Sequence, residues 1–244
     1  MKKRKNSATK IGFIFIILIL SLASISISYG GLVDDLNIFG TVDTSTDFSE
    51  RYLRAYWPLD ENDGTIIYDS SVHGNDGNIY GPNWAIGKVN SALSFDGDDH
   101  VLVPHSSSLD ISENISVEAW VKLNEVPYSS YQTIIRKGPW TTEMSWGLDI
   151  KPEGNPRFFI YDEGVAYIAL GSTTLVSNVW YHLRGTYDGT VVKLWVNGSV
   201  DSSTSHVGDI DLSNDDLVIG KHNGGGYLNG IIDEIKIYSE VWFL

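Results

Sequence analysis

The sequence predicts an all-β fold, a sandwich or barrel of many short strands, and three observations lead there. From Tyr52 onward, apolar residues alternate in short runs broken by Gly, Asn, Asp and Pro. No window of about 11 residues carries the 3.6-residue period of an amphipathic helix. The apolar content, 42% of 244 residues, is carried by Val, Ile, Trp, Tyr and Phe, and 24 glycines supply tight turns. Such side chains suit a pleated, half-buried surface. The length suffices for one large β domain.

The chain opens differently. MKKRKNSATK is a basic leader, Ile11–Leu22 is an unbroken apolar stretch, and ASISISYGG is rich in small residues. This is the layout of a secretory signal over residues 1–30, with cleavage after Ser28 or Gly30. The alternative is an uncleaved hydrophobic helix, Ile11–Tyr29, near the lower limit for spanning a bilayer. Either reading places the body outside the cell, secreted or anchored by that helix, because the basic flank keeps the N-terminus cytoplasmic. Membrane contact is expected through this segment alone. Residues 31–51 lack periodicity and read as a linker.

The strand runs follow from LRAYWPL through TIIY, ALSF, HVLV, ISVEAWVKL, QTIIRK, SWGLDI, PRFFIY, AYIAL, VWYHLRGTY, TVVKLWVN and LVIG to GIIDEIKIY. Asp188-Gly189 is the preferred pair for a two-residue hairpin turn, which predicts a register with Tyr187 opposite Thr190. Leu183 then faces Leu194, His182 faces Trp195, and Arg184 faces Lys193. In ISVEAWVKL, Ile115, Val117, Ala119, Val121 and Leu123 share an apolar face. Ser116, Glu118, Trp120 and Lys122 share the other. Trp120 and Trp195 thus stand among polar neighbours, where an indole can stack on a sugar ring. Trp120, His182 and Trp195, with Arg184 as a polar contact, are the expected ligand-binding face. The competing reading covers each indole with a loop or a neighbouring strand.

Charge and cysteine content narrow the chemistry. The formal charge is −14, and five of the 17 bases lie in the first 30 residues, leaving 12 against 31 acids. So acidic a body repels nucleic acid and anionic headgroups. The absence of cysteine removes disulfides, thiol catalysis and thiolate metal sites.

Residues 52–239 resemble a laminin-G-like domain. The resemblance is carried by AYWPLDENDG, YDSSVHGNDGNIYGPNW, GKVNSALSFDGDDHVLVP, ISVEAWVKL, VWYHLRGTYDGTVVKLWVNG and GYLNGIIDEIKIY, in that order. Two positions depart from the family pattern: Val72 and Asn90 stand where it has glycine. The chain ends at SEVWFL where the family runs into a polar tail, so residues 240–244 read as a truncated tail, or as an end whose Trp242 and Phe243 pack against something. The resemblance implies a two-sheet antiparallel jelly-roll sandwich of the concanavalin A type. It also implies a module that binds carbohydrate or other proteins, in many cases with a calcium ion.

Asp233 shares the parity of Ile231, Ile235 and Ile237, which points it towards the core, where a carboxylate needs a partner. The resemblance brings the first and last strands together. Asp60 or Glu61 would then meet Asp233, with Asp96, Asp98 and Asp99 nearby, and oxygen ligands of this kind suit Ca²⁺. Asp60, Glu61, Asp96 and Asp233 are therefore the expected metal ligands, the alternative being that backbone amides satisfy Asp233. Catalysis is not expected. Related laminarinase-like hydrolases carry Glu-x-Asp-x-x-Glu, whereas Asp233-Glu234-Ile235-Lys236 lacks that spacing. No nucleophile-elbow, zinc-helix or phosphate-loop pattern appears, and the six histidines (73, 100, 105, 182, 206, 222) have no ligand spacing. The expected function is non-catalytic recognition of a glycan or surface glycopolymer outside the cell. A protein–protein adhesion or envelope-structural module is the alternative, and a divergent glycosidase the third.

Overall fold

A computed structural model describes residues 51–127, 129–138, 144–221 and 226–241. The expected signal or anchor helix, residues 31–50 of the linker, His222, and residues 242–244 of the tail lie outside the described residues. The regular elements described in the Ser45–Leu244 unit are β-strands and one short 3-10 turn.

In chain order the strands are β1 Leu53–Trp57, β2 Ile66–Ile67, β3 Gly77–Tyr80, β4 Asn83–Ile86, β5 Ser91–Asp96 and β6 His100–Val103. After one short 3-10 turn come β7 Asn114–Leu123, β8 Gln132–Lys137, β9 Trp146–Ile150, β10 Pro156–Asp162 and β11 Val165–Leu170. The chain then runs through β12 Trp180–Asp188, β13 Val191–Val196, β14 Ser199–Ser205, β15 Leu217–Ile219 and β16 Asn229–Tyr238. One sheet has the order β14-β13-β12-β7-β16-β5-β4, with β1 also paired to β16; the other runs β11-β10-β9-β8-β15-β6-β3-β2. All pairs described are antiparallel. The first and last strands are hydrogen-bonded neighbours, Ala55 opposite Ile237 and Trp57 opposite Ile235.

The alternation seen in sequence builds the core. Ile115, Val117, Ala119, Val121 and Leu123 of β7 are all buried, as are Leu183, Tyr187, Val192 and Leu194 of the β12–β13 hairpin. They face Leu148, Ile150, Phe158 and Ile160 of the second sheet in one continuous cluster. Removing this apolar surface from water is the main source of stability in a domain without disulfides.

Two local geometries differ from the sequence expectation. The hairpin register places Tyr187 opposite Val192, Gly185 opposite Leu194 and Leu183 opposite Val196. Asp188 explains the difference: its Oδ1 accepts from the Thr190 amide (3.0 Å), the Val191 amide (2.8 Å) and the Thr190 hydroxyl (2.6 Å). Asp188 therefore precedes the turn, and Gly189, at φ +79°, takes its first central position. Each partner moves by two residues, so the faces are kept but Trp195 stands opposite Arg184 rather than His182.

The second difference is a bulge in β16. Asp233 pairs with Trp120 and Lys236 with Glu118, so three steps on β16 match two on β7. The extra residue is accommodated at Glu234, whose φ of +53° is unusual for a residue with a Cβ. The bulge reverses the parity before it. Ile232 rather than Ile231 joins the core, and Asp233 lies on the outer face beside Trp120, not in the core as its alternation with Ile235 and Ile237 suggests.

Candidate functional site

The outer face of the first sheet carries a band of aromatic and charged side chains. Cross-strand pairing sets it out in rows, because directly opposed residues point to the same side. One row runs Trp195, Arg184, Glu118, Lys236; the next runs His182, Trp120, Asp233; a third holds Trp180, Lys122 and Ile231. All four residues expected from sequence, Trp120, His182, Arg184 and Trp195, stand in this band.

The band is held by polar contacts. His182 Nε2 lies 3.6 Å from Glu118 Oε2, and its ring tilts against Trp120 at 5.2 Å. Burial, together with Arg184 and Lys236, lowers the His182 pKa against the pull of Glu118, which favours the neutral imidazole at pH 7. The Trp195 indole N–H donates to Thr186 Oγ1 at 3.2 Å, and the Arg184 guanidinium lies 5.9 Å from the Trp195 ring. At the bulge, Glu234 accepts from the Tyr56 hydroxyl at 2.9 Å and meets Lys236 Nζ at 3.2 Å. Burial and the Glu234 carboxylate raise the Tyr56 phenol above its usual range, keeping it a donor. Lys88 Nζ stands 4.5 Å from the Trp120 ring, and Lys122 Nζ 5.0 Å from that of Trp180.

Glu118, Lys122 and Trp180 share strand parity with the chosen residues, so alternation alone could have added them. Lys88 comes from the β4–β5 turn and Lys236 from beyond the bulge. No local sequence signal places either one here.

Among the described residues, Asp60, Glu61, Asp96 and Asp233 do not together bring three ligand oxygens within 4.8 Å of one another. Asp233 Oδ2 accepts the amides of Lys88 (2.7 Å) and Val89 (2.9 Å). Asp60 accepts the Asn90 side chain (2.8 Å) and the Ser91 amide (3.2 Å). These two acids grip the β4–β5 turn from both sides: both oxygens of Asp60 and Oδ2 of Asp233 meet N–H donors. Glu61 accepts the Tyr68 amide at 2.8 Å. Asp96 is grouped with Asp98 and Asp99. Among the described residues this trio alone brings three carboxylate oxygens within 4.8 Å of one another. The Asp60 grip also accounts for Asn90 at a family glycine position: its φ is +39°, within reach of glycine and asparagine, and its amide bonds Asp60. Val72, the other departure, is 88% exposed and has no positive φ.

Asp233 has no solvent exposure, and its Oδ1 has no hydrogen-bond partner among the described residues. Burial pushes its carboxyl up to about 6, outweighing the Lys88 and Val89 amides. A folded pKa above the unfolded value of 3.8 means that the folded state holds the proton more tightly. This contribution is therefore fully present below about pH 4 and is lost as pH rises towards 6. The whole is worth about 3 kcal/mol. Asp233→Asn should flatten the dependence of the melting midpoint on pH across this window. An unchanged slope in the variant would rule the assignment out.

An open cleft of about 350 Å3 lies elsewhere, between residues 74–78 and 104–106. It contains none of the tryptophans.

With the face described, similarity to known proteins can be placed. The Laminin_G_3 model, described as the concanavalin A-like lectin/glucanases superfamily, matches residues 95–242. The chain belongs to this superfamily. No curated protein matches it in sequence. Among solved structures, this concanavalin A-like domain is similar to domain 4 of AbnA, a GH43 extracellular arabinanase from Geobacillus stearothermophilus, in complex with arabinotriose. Identity is 22%, coverage 77% of this chain and 92% of that one, and the TM-score 0.64. The binding domain of Paraclostridial Mosquitocidal Protein 1 matches at 17% identity over 79% of this chain and 50% of that one, TM-score 0.66. The Botulinum Neurotoxin serotype G binding domain matches at 15% over 78% and 48%, TM-score 0.63. The chain thus spans about half the length of these toxin domains, and at such identities the likeness is one of fold.

Proposed function

We propose that this domain is an exported, non-catalytic carbohydrate-recognition module, and that the outer face of its first sheet takes the sugar. The observation that carries the reading is the placement of Trp120, Trp180 and Trp195 among hydrogen-bonding side chains on the sheet face turned away from the core. Indoles in that setting offer an apolar plate for a pyranose ring, and His182, Arg184 and Glu118 beside them suit hydroxyl groups. Fold neighbours described as complexes with arabinotriose and with SialylT support a carbohydrate ligand in general. Export rests on the basic and apolar leader of residues 1–30.

A glycan array tests the ligand class. Positive spots should lose at least tenfold in affinity in Trp120→Ala/Trp195→Ala, since buried aromatic anchors dominate such contacts. The thermal midpoint and near-UV spectrum identify variants that remain folded. A folded double variant that binds as well as the parent would overturn the face assignment. An array without hits would favour a protein-binding adhesion module instead.

A further inference from the structure

Residues 51–244 carry 26 acids and 12 bases, so a cation on this domain has abundant carboxylates to choose from. Five of the twelve bases, Lys88, Lys122, Arg184, Lys193 and Lys236, belong to the aromatic face. Three others, Arg136, Lys137 and Arg157, are buried in the second sheet. The acids within the face are already engaged: Glu234 meets Lys236 at 3.2 Å, Glu118 meets His182 at 3.6 Å, and Asp233 accepts two amides.

Lys88 and Lys122 share one setting on this face. Among the described residues neither pairs with a carboxylate. Lys88 is exposed and Lys122 half-buried. Each ammonium stands over an indole instead, Lys88 on Trp120 and Lys122 on Trp180. Trp120 and Lys122 are same-face neighbours on β7, about 7 Å apart along the strand. The two pairs therefore lie side by side. Each couples a plate for a sugar ring to a cation that lacks an anion.

We propose that the ligand of this face is an anionic polysaccharide, with Lys88 and Lys122 meeting its carboxylate or sulfate groups while the indoles carry the rings. The inference rests on the carbohydrate reading above and narrows it by charge. An ammonium released from an indole towards a carboxylate in a partly desolvated site gains a charge-assisted hydrogen bond, which a neutral hydroxyl returns only in part.

Polymers that share a backbone and differ in charge provide the test. Titration calorimetry with polygalacturonate, its fully methyl-esterified form, dextran sulfate and dextran separates charge from backbone, and carboxylate from sulfate. At least one charged polymer should bind ten times more tightly than its neutral counterpart, and which one does so names the anion. In Lys88→Gln/Lys122→Gln, folded by its thermal midpoint, the charged and neutral affinities should converge. Equal affinities in the parent protein would overturn the charge inference and leave carbohydrate recognition standing. A preference that survives in the double variant would overturn the assignment to these lysines. Binding to none of the four polymers would also overturn the inference, and the glycan array would then decide the broader reading alone.

Discussion

Asp149→Ala should lower the stability of the domain by about 3–5 kcal/mol, the usual consequence of stripping one partner from a buried ion pair. Asp149 and Arg157 face each other on β9 and β10 and are 3% and 9% exposed. The pair is bidentate: Arg157 Nε donates to Oδ1 at 2.6 Å and Nη2 to Oδ2 at 2.9 Å. The outer face of the second sheet is closed here by Phe159 and Tyr131, whose rings flank the guanidinium, and by Met144 on the neighbouring Arg136. Burial alone would push the Arg157 pKa down, and the Asp149 carboxylate holds it above its ordinary value. Without that carboxylate two guanidiniums share a dry site. Urea unfolding reads the loss directly, and a drop below about 1 kcal/mol would show that water reaches the site. Asp149→Leu/Arg157→Met should recover most of the stability, because an apolar pair carries no desolvation penalty.

Gly185→Ala should cost about 2–3 kcal/mol through overpacking, although alanine has the better strand geometry of the two. A Cβ at this position would lie 2.0 Å from Phe158 Cδ2 and 2.1 Å from its Cγ. Those atoms belong to the root of the ring, so the whole side chain must shift or the sheets must part. The second substitution that relieves the clash separates this cause from a loss of strand propensity. In Gly185→Ala/Phe158→Leu the two penalties should fall well short of their sum. Additive penalties would assign the effect to the backbone instead.

Both sites show why parts of the molecule were legible in sequence and others not. The β7 run, with its strict alternation, placed Ile115 to Leu123 in the core and Trp120 outside without help from any other strand. The β12–β13 faces survived even a displaced turn, because a shift of two residues keeps parity. In β16 one extra residue at Glu234 reversed the side of Asp233, and nothing in GIIDEIKIY announces it. Strands β3, β4 and β14 were absent from the expected set. β14 is almost wholly polar, and β3 and β4 are four residues each, too short for apolar alternation to register although Ile79 and Trp84 pack against the core. Gly185 is required by Phe158, which lies across the sandwich and far along the chain.

The order of apolar and polar residues by itself determined that this chain makes an all-β sandwich or barrel, and that two of its tryptophans stand on a polar face; the resemblance to laminin-G-like domains narrowed this to the antiparallel sandwich. Those properties are local, because strand pleating converts spacing along the chain directly into sidedness. The tertiary structure alone decided which residues share that face. It brought Lys88 over Trp120, Arg184 opposite Trp195 and Glu234 against Tyr56. It also set Asp60 and Asp233 as clasps on the β4–β5 turn. Contacts of that kind depend on register, bulges and the crossing of distant strands, and each of these is settled by the energy of the assembled sheet rather than by any short segment of the chain.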